Sequence, residues 1–239
     1  MSNHEFADDR CDRSVPVSFT LAGVRDGFRT CVPVALGVAG YGIVFGALAR
    51  EAGLTVAEAT LMSATVLAGA AQLLAVELWG DGVLAVLATT LVVNLRYLLM
   101  GATLRPWLGR LSPLAAYGSV FFTADENWAL TMREFRAGRP RGAFLLGSGL
   151  AIWTFWVAAT VLGATAGGVV GDPARFGLDF ALTAVFLVIA VELFDGTGDL
   201  RPWASAAVVA VGTARLLPGK WYILCGGLAG AVTVVIRDD

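Results

Sequence analysis

Histidine and lysine are almost missing from this chain. Among 239 residues His4 is the one histidine and Lys220 the one lysine, and every other basic residue is arginine. With its imidazole confined to the N-terminal tail, the apolar body has no histidine to serve as general base or metal ligand. The three cysteines, Cys11, Cys31 and Cys225, are widely separated. They form no Cys-x-x-Cys or Cys/His spacing, which argues against a disulfide framework or a zinc site. Charge is scarce too, at 15% of residues, where a soluble domain carries about 25%. No basic stripe exists to meet nucleic acid, no Walker motif to hold a nucleotide, and no Gly-x-Ser-x-Gly to present a nucleophile. Neither a metal nor another cofactor is expected. Residues 1–22 are polar and acidic and lack the apolar stretch of a signal peptide, so they read as a cytoplasmic tail ahead of an uncleaved first span.

What the chain has instead is apolar bulk, 57% of residues, and 29 glycines. A helix crossing about 30 Å of hydrocarbon needs roughly 20 mostly apolar residues. Runs of that kind occur at 30–48, 56–79, 82–104, 142–170 and 178–194, with two shorter runs at 203–217 and 221–236. The run 142–170 has room to tilt or break near Gly163. The last two runs are split by Leu-Pro-Gly-Lys and read either as two spans joined by a tight turn or as one broken pair. The expectation is an all-α, polytopic transmembrane bundle of about seven or eight spans, one permease domain over residues 23–239, with broken helices and an internal repeat open to test.

The uncertain segment is 111–132, which contains Thr-Ala-Asp-Glu-Asn-Trp-Ala-Leu. If it crosses and the N-terminus is cytoplasmic, cytoplasmic loops hold ten basic residues and outside loops five; if it does not cross, the count becomes six against nine. Because cytoplasmic loops are the arginine-rich ones, the crossing reading is favoured. Asp125 and Glu126 then lie at membrane depth, where a carboxylate must face protein or water. The plainer alternative is an interfacial loop.

Asn94 and Arg96 fall mid-span in 82–104, and an arginine there needs a partner or a cavity. An ion pair with Asp125 or Glu126 and contact with a ligand are both open. Gln72 follows Gly69-Ala70-Ala71, small residues that permit close approach or unwound backbone; its amide could equally hold two helices together. Glu77 and Glu192 read as interfacial, and Asp179 as a cap at a helix N-terminus. Gly42–Gly46, Gly163–Gly167 and Gly226–Gly230 have the small-xxx-small spacing of helix-packing faces. Ala-Val-Glu-Leu occurs at 75–78 and again at 190–193, and Gly-Leu at 53–54 and 177–178, a hint of internal duplication.

Several strings in order, FGALAREAGLTVAEATLMSATVLAGAAQLLAVEL, TTLVVNLRYLLMGATL, TADENWAL, GLDFAL and LLPGKWYILCGGLAGA, resemble the large subunit of the AzlC-type branched-chain amino-acid exporters. The similarity runs from about Gly23 to Val235. It implies a permease subunit of the bacterial inner membrane that works with a small hydrophobic, AzlD-like membrane subunit. Its residues carry over at Gly69, Gln72, Asn94, Arg96, Asp125 and Glu126. The sequence departs from the pattern at Tyr97, where histidine is usual, and at Thr183 and Glu192, where proline is usual. The missing histidine removes an imidazole proton relay and leaves a carboxylate relay.

The expected function is secondary, proton-coupled export of branched-chain or similar hydrophobic amino acids. Gly69, Gln72, Asn94, Arg96 and Asp125 are the expected substrate-binding residues and Glu126 the proton carrier, with none catalytic and none metal-binding. Two other readings stay open: a non-transporting assembly subunit, and an intramembrane enzyme using Asp125 and Glu126, which sit roughly 100° apart on a helix and so are poorly placed to share one substrate atom.

Overall fold

The computed structural model describes residues 17–167, 200–217 and 221–238, together with Leu187 and Gly196. The expected span 178–194, the end of 142–170, Asp179, Thr183, Glu192 and the first sixteen residues of the tail lie outside the described residues. Apart from one isolated β-bridge between Ser18 and Arg141, the regular structure described is all helix, and the chain is an all-α membrane protein.

In order the helices are α1 (Leu21–Glu51), α2 (Val56–Thr65), α3 (Gly69–Glu77), α4 (Val83–Asn94), α5 (Arg96–Leu108), α6 (Pro113–Phe121), α7 (Asp125–Arg136), α8 (Gly142–Gly167), α9 (Leu200–Leu216) and α10 (Trp221–Asp238). Three stretches are long and apolar enough to cross a membrane as they stand: α1, the α4–α5 run, and α8. The other expected spans in the first half are interrupted. The run 56–79 is α2 and α3 with an unwound stretch at 66–68, and 111–132 falls on α6 and α7 with an unwound stretch at 122–124. The run 82–104 is α4 and α5, joined at Leu95 by a single tight turn. In contrast, α8 passes Gly163 without a break. That glycine serves packing, since a Cβ there would overlap the backbone of Ile43.

The chain divides into two compact units. The first comprises Met1–Leu36 and Leu99–Thr154, the second Gly37–Leu98 and Phe155–Asp239, so the boundary falls within α1, α5 and α8. In the first unit Leu104, Trp107, Leu108, Met132, Phe135 and Leu145 form a buried cluster, with the Trp107 and Phe135 rings 4.8 Å apart. Here α1 lies directly on α8. A Cβ on Gly27 would strike the Phe144 backbone, and one on Gly147 the Val24 backbone.

In the second unit Phe45, Leu54, Leu73, Val76 and Trp156 are core residues. There α1 meets α8 through Gly42 against Ala159, Gly46 against Thr160, and Gly163 against Ile43. In the second unit the contacts advance from Gly42 on Trp156 and Ala159 to Gly46 on Thr160 and Ala164, so α1 and α8 pair in parallel there. Glycine along this seam removes the side chains that would hold the backbones apart. The helices α9 and α10 are antiparallel neighbours, and neither is among the three stretches long and apolar enough to cross as it stands. Gly226 packs on Ala206 and Ala210, Gly230 on Ala206, and Ser205 Oγ lies 2.8 Å from Thr233 Oγ1.

Candidate functional site

A helix that stops inside an apolar layer leaves backbone N–H and C=O groups without helical partners, and something must satisfy them. At the break between α2 and α3 the Ala68 N–H donates to Val66 O at 2.9 Å, and the Gln72 N–H donates to Ala68 O at 2.9 Å where the helix resumes. The Tyr97 hydroxyl donates to Leu67 O at 3.1 Å. Tyr97 therefore ties the start of α5 to the unwound backbone of the preceding span. Beside it on the same short segment stand Asn94, the last residue of α4, and Arg96, the first of α5. Both are half-buried, and the Arg96 guanidinium carbon lies 5.4 Å from the Tyr97 ring centre. The Asn94 Oδ1 is buried with no hydrogen-bond partner, an acceptor open to a donor.

Gln72 is wholly buried and both ends of its amide are engaged. Its Nε2 donates to Ser63 Oγ at 3.1 Å, and its Oε1 accepts from Trp156 Nε1 at 3.1 Å. Ser63 Oγ in turn lies 2.8 Å from Thr160 Oγ1. Ser63 is on α2, Gln72 on α3, and Trp156 and Thr160 on α8, so one network spans the break from both sides. The end of the Trp156 ring also covers Gly69, where a Cβ would come within 2.9 Å of it. Gly69 and Gln72 are thus brought together on one tryptophan.

The first unit repeats the arrangement. At the break between α6 and α7, Asp125 and Glu126 are the first two residues of α7, both half-buried. Asn127 follows, wholly buried. Its Oδ1 accepts from the Ala124 N–H at 2.6 Å, and its Nδ2 donates to Phe122 O at 3.1 Å and to Leu145 O at 3.2 Å. Gly149 leaves the space: a Cβ there would overlap Phe122 O.

Capping chemistry separates edge from interior. At their outer ends α2 and α6 are capped by side chains, Thr55 Oγ1 accepting from the Glu58 N–H and Ser112 Oγ from the Ala115 N–H. Where α3 and α7 resume, the N-cap residues are Ala68 and Ala124, whose side chains cannot accept from the first turn; at α7 the Asn127 side chain takes the Ala124 N–H. Such an end presents backbone donors and the positive pole of the helix. Glycine at the N-cap of α4 also lacks a side chain, but that end follows an exposed turn where water can serve.

A charged cluster closes the end of the first unit. Glu134 accepts from Arg139 at 2.7 Å and from Arg141 at 2.5 Å, and Arg141 also reaches Asp26 at 3.0 Å. Hydrogen bonding to Arg139, followed by Arg141, holds the Glu134 carboxyl below the ordinary range against the opposing effect of burial. The Ser18 N–H donates to Pro140 O at 3.1 Å, so the chain entering α1 is fastened to the turn entering α8.

Arg96 belongs to the second unit, and Asp125 and Glu126 to the first. Each expected site residue nonetheless sits at or beside an interruption of its span. Asn127 and Trp156 were not singled out as site residues from the sequence. Asn127 had a signal, as the third polar residue of an isolated cluster. Trp156 had none, because a tryptophan in an apolar run is indistinguishable from one facing lipid.

Fold and site together define a polytopic helical membrane protein whose polar residues collect where its spans are interrupted. The family model described as AzlC protein matches residues 33–170, more than half of the chain, and the chain belongs to the AzlC family. It is 27% identical over 222 residues to the branched-chain amino acid transport protein AzlC of Bacillus subtilis, covering 90% of this chain and 85% of that one. It is 26% identical to the inner membrane protein YgaZ of Escherichia coli, over 90% of this chain and 91% of that one. An uncharacterized membrane protein of Archaeoglobus fulgidus is 28% identical over 86% of this chain and 91% of its own length. No solved structure matches this chain.

Proposed function

We propose that the protein is the large subunit of a secondary transporter that exports branched-chain or similar hydrophobic amino acids, coupled to protons, across the bacterial inner membrane. One observation carries the reading: three polar groups in an otherwise apolar chain, Gly69 with Gln72, Asn94 with Arg96, and Asp125 with Glu126, all lie at helix interruptions. Interrupted helices at membrane depth are tolerated where they are buried in protein or line a cavity, and transporters use their free ends to hold substrate.

An amino-acid zwitterion needs a cation or helix N-terminus for its carboxylate, acceptors for its ammonium, and an apolar wall for its side chain. In the second unit Arg96 and the uncapped start of α3 supply the first, and Asn94 Oδ1 supplies an acceptor. In the first unit Asp125 is the substrate-binding carboxylate of this reading, and Glu126 is the proton carrier. A small hydrophobic AzlD-like subunit completes the transporter, and the N-terminus is cytoplasmic. The identity of the substrate rests on the name of the Bacillus subtilis relative and on the residue types available.

The assembly-subunit reading draws support from Gln72, whose amide is engaged at both ends by protein contacts. Cells with and without this protein and its small companion distinguish the two. Deletion should make internal leucine, isoleucine or valine accumulate, and wild-type protein should restore efflux. Arg96→Lys keeps the charge and loses the planar fork that grips a carboxylate; it should cut efflux by roughly tenfold, the worth of about 1.4 kcal/mol of lost recognition. Unchanged amino-acid pools in the deletion strain would sink the transporter reading.

A further inference from the structure

Two buried amide side chains do the same work at the two long breaks, one in each unit. In the second unit Gln72, the fourth residue of α3, reaches across the gap to Ser63 on α2 and accepts from Trp156 on α8. In the first, Asn127, the third residue of α7, holds the N–H of Ala124 and the carbonyl of Phe122 within the gap and reaches Leu145 on α8. Both are fully buried. In each unit the second half-helix begins with an alanine N-cap, whose side chain cannot accept from the first turn, and a glycine gives room for the brace: Gly69 under Trp156, Gly149 under Phe122 and Asn127.

We propose that Gln72 with Trp156, and Asn127 with Leu145, are positioning residues, each pair holding the start of its own unit's half-helix, α3 or α7, against α8 so that this end keeps a fixed geometry during transport. This rests on the transporter reading above. A side chain pointing from the first turn of a half-helix could itself touch substrate, but both ends of each of these wholly buried amides are already engaged by protein partners. Their hydrogen bonds instead run from the resumed helix to the gap and to a neighbouring helix. Buried and engaged at both ends of each amide, such a network stiffens what it joins, where a bare break at residues as small as Ala68, Gly69, Ala70 and Ala71 would be loose. The device is built from different residues in the two units, an indole and a glutamine in one and an asparagine with backbone carbonyls in the other. The match is therefore one of geometry and not of repeated sequence.

Two conservative variants test it without emptying the core. Trp156→Phe deletes the indole N–H and keeps a ring over Gly69 and beside Phe45, whose ring centre lies 6.1 Å from that of Trp156. Asn127→Ser removes the amide donors to Phe122 and Leu145 and retains a small polar group. Full-length protein and its small companion would be reconstituted in liposomes, folded protein quantified by size exclusion, and exchange of labelled leucine measured across concentrations. Each variant should raise KM by about fivefold or more at an unchanged quantity of folded protein, because a loosened half-helix end binds more weakly. A purely structural role would lower folded protein or the maximal rate and leave KM alone, and that result would overturn the proposal. If wild-type protein exchanged none of leucine, isoleucine and valine, the transporter reading would fall and the positioning role with it; failure of the positioning role alone shows as active wild type with unaltered KM in both variants.

Discussion

Asp125 and Glu126 are neighbours with different prospects. As first and second residues of α7 they project about 100° apart, so one can serve a ligand while the other serves a different surface. Assigning the proton to Glu126 makes a sharp expectation. Glu126→Gln should abolish uphill, proton-driven flux and leave exchange of labelled for unlabelled substrate intact, whereas Asp125→Asn should weaken both. Uphill flux in the Glu126→Gln protein would remove the relay. Glu134 makes a different kind of prediction. Its carboxyl is held below the ordinary range chiefly by Arg139, so the folded state binds that proton less readily than the unfolded one. The contribution to stability is therefore complete above the ordinary carboxylate range and fades as pH falls below it. Glu134→Gln should destabilise the protein at neutral pH by about 1–3 kcal/mol, the cost of leaving its partners unsatisfied. Detergent-solubilised variant and wild type should converge when unfolding is followed into acid below the ordinary carboxylate range.

Among the elements, the seam between α1 and α8 depends on missing side chains. Gly27, Gly46, Gly147 and Gly163 each lie where a Cβ would overlap backbone of the facing helix, whereas Gly37 and Gly40 on α1 have open space around them. Backbone cannot yield as the tip of a flexible side chain can, so a methyl group at the seam must push the helices apart. Gly147→Ala should cost at least about 1–3 kcal/mol, the range for overpacking, and reduce the yield of folded protein. Gly37→Ala should be neutral or stabilising by up to about 1 kcal/mol, the difference in helix propensity. Thermal unfolding of the two proteins in the same detergent checks the contrast, and equal losses would show that the seam is not the limiting contact.

At the level of the whole chain, direction of travel follows from helix pairing. Two parallel spans require an odd number of crossings between them, and α1 is parallel to α8 in the second unit. Crossings by the α2–α3, α4–α5 and α6–α7 segments would supply three. This agrees with the arginine count, which favours a crossing by 111–132. With a cytoplasmic N-terminus the turn after α7 is cytoplasmic as well. The side chain of Arg139 is 59% exposed, so a cysteine at that position is open to reagent. It should resist a membrane-impermeant thiol reagent in intact cells and react after permeabilisation. Labelling from outside would reverse the topology and with it the parity of crossings.

Much of this was legible in the chain itself. Apolar runs of span length, the shortage of charge and the placement of arginines were enough for an all-α membrane protein, because the cost of exposing polar groups to hydrocarbon acts on any chain regardless of how its helices pack. The same cost marked Gln72, Asn94, Arg96, Asp125 and Glu126 as residues needing an explanation. Local sequence left broken helices open but could not place the gaps at Val66-Leu67-Ala68 and Phe122-Thr123-Ala124, since neither contains proline or glycine. It could not distinguish Trp156 from a tryptophan facing lipid, or show that Gln72 and Asn127 would be consumed by braces. Those outcomes depend on α8 and α1 arriving beside the gaps. Tertiary contact decided them, because a broken helix persists in an apolar layer only when a neighbour satisfies the groups the break sets free.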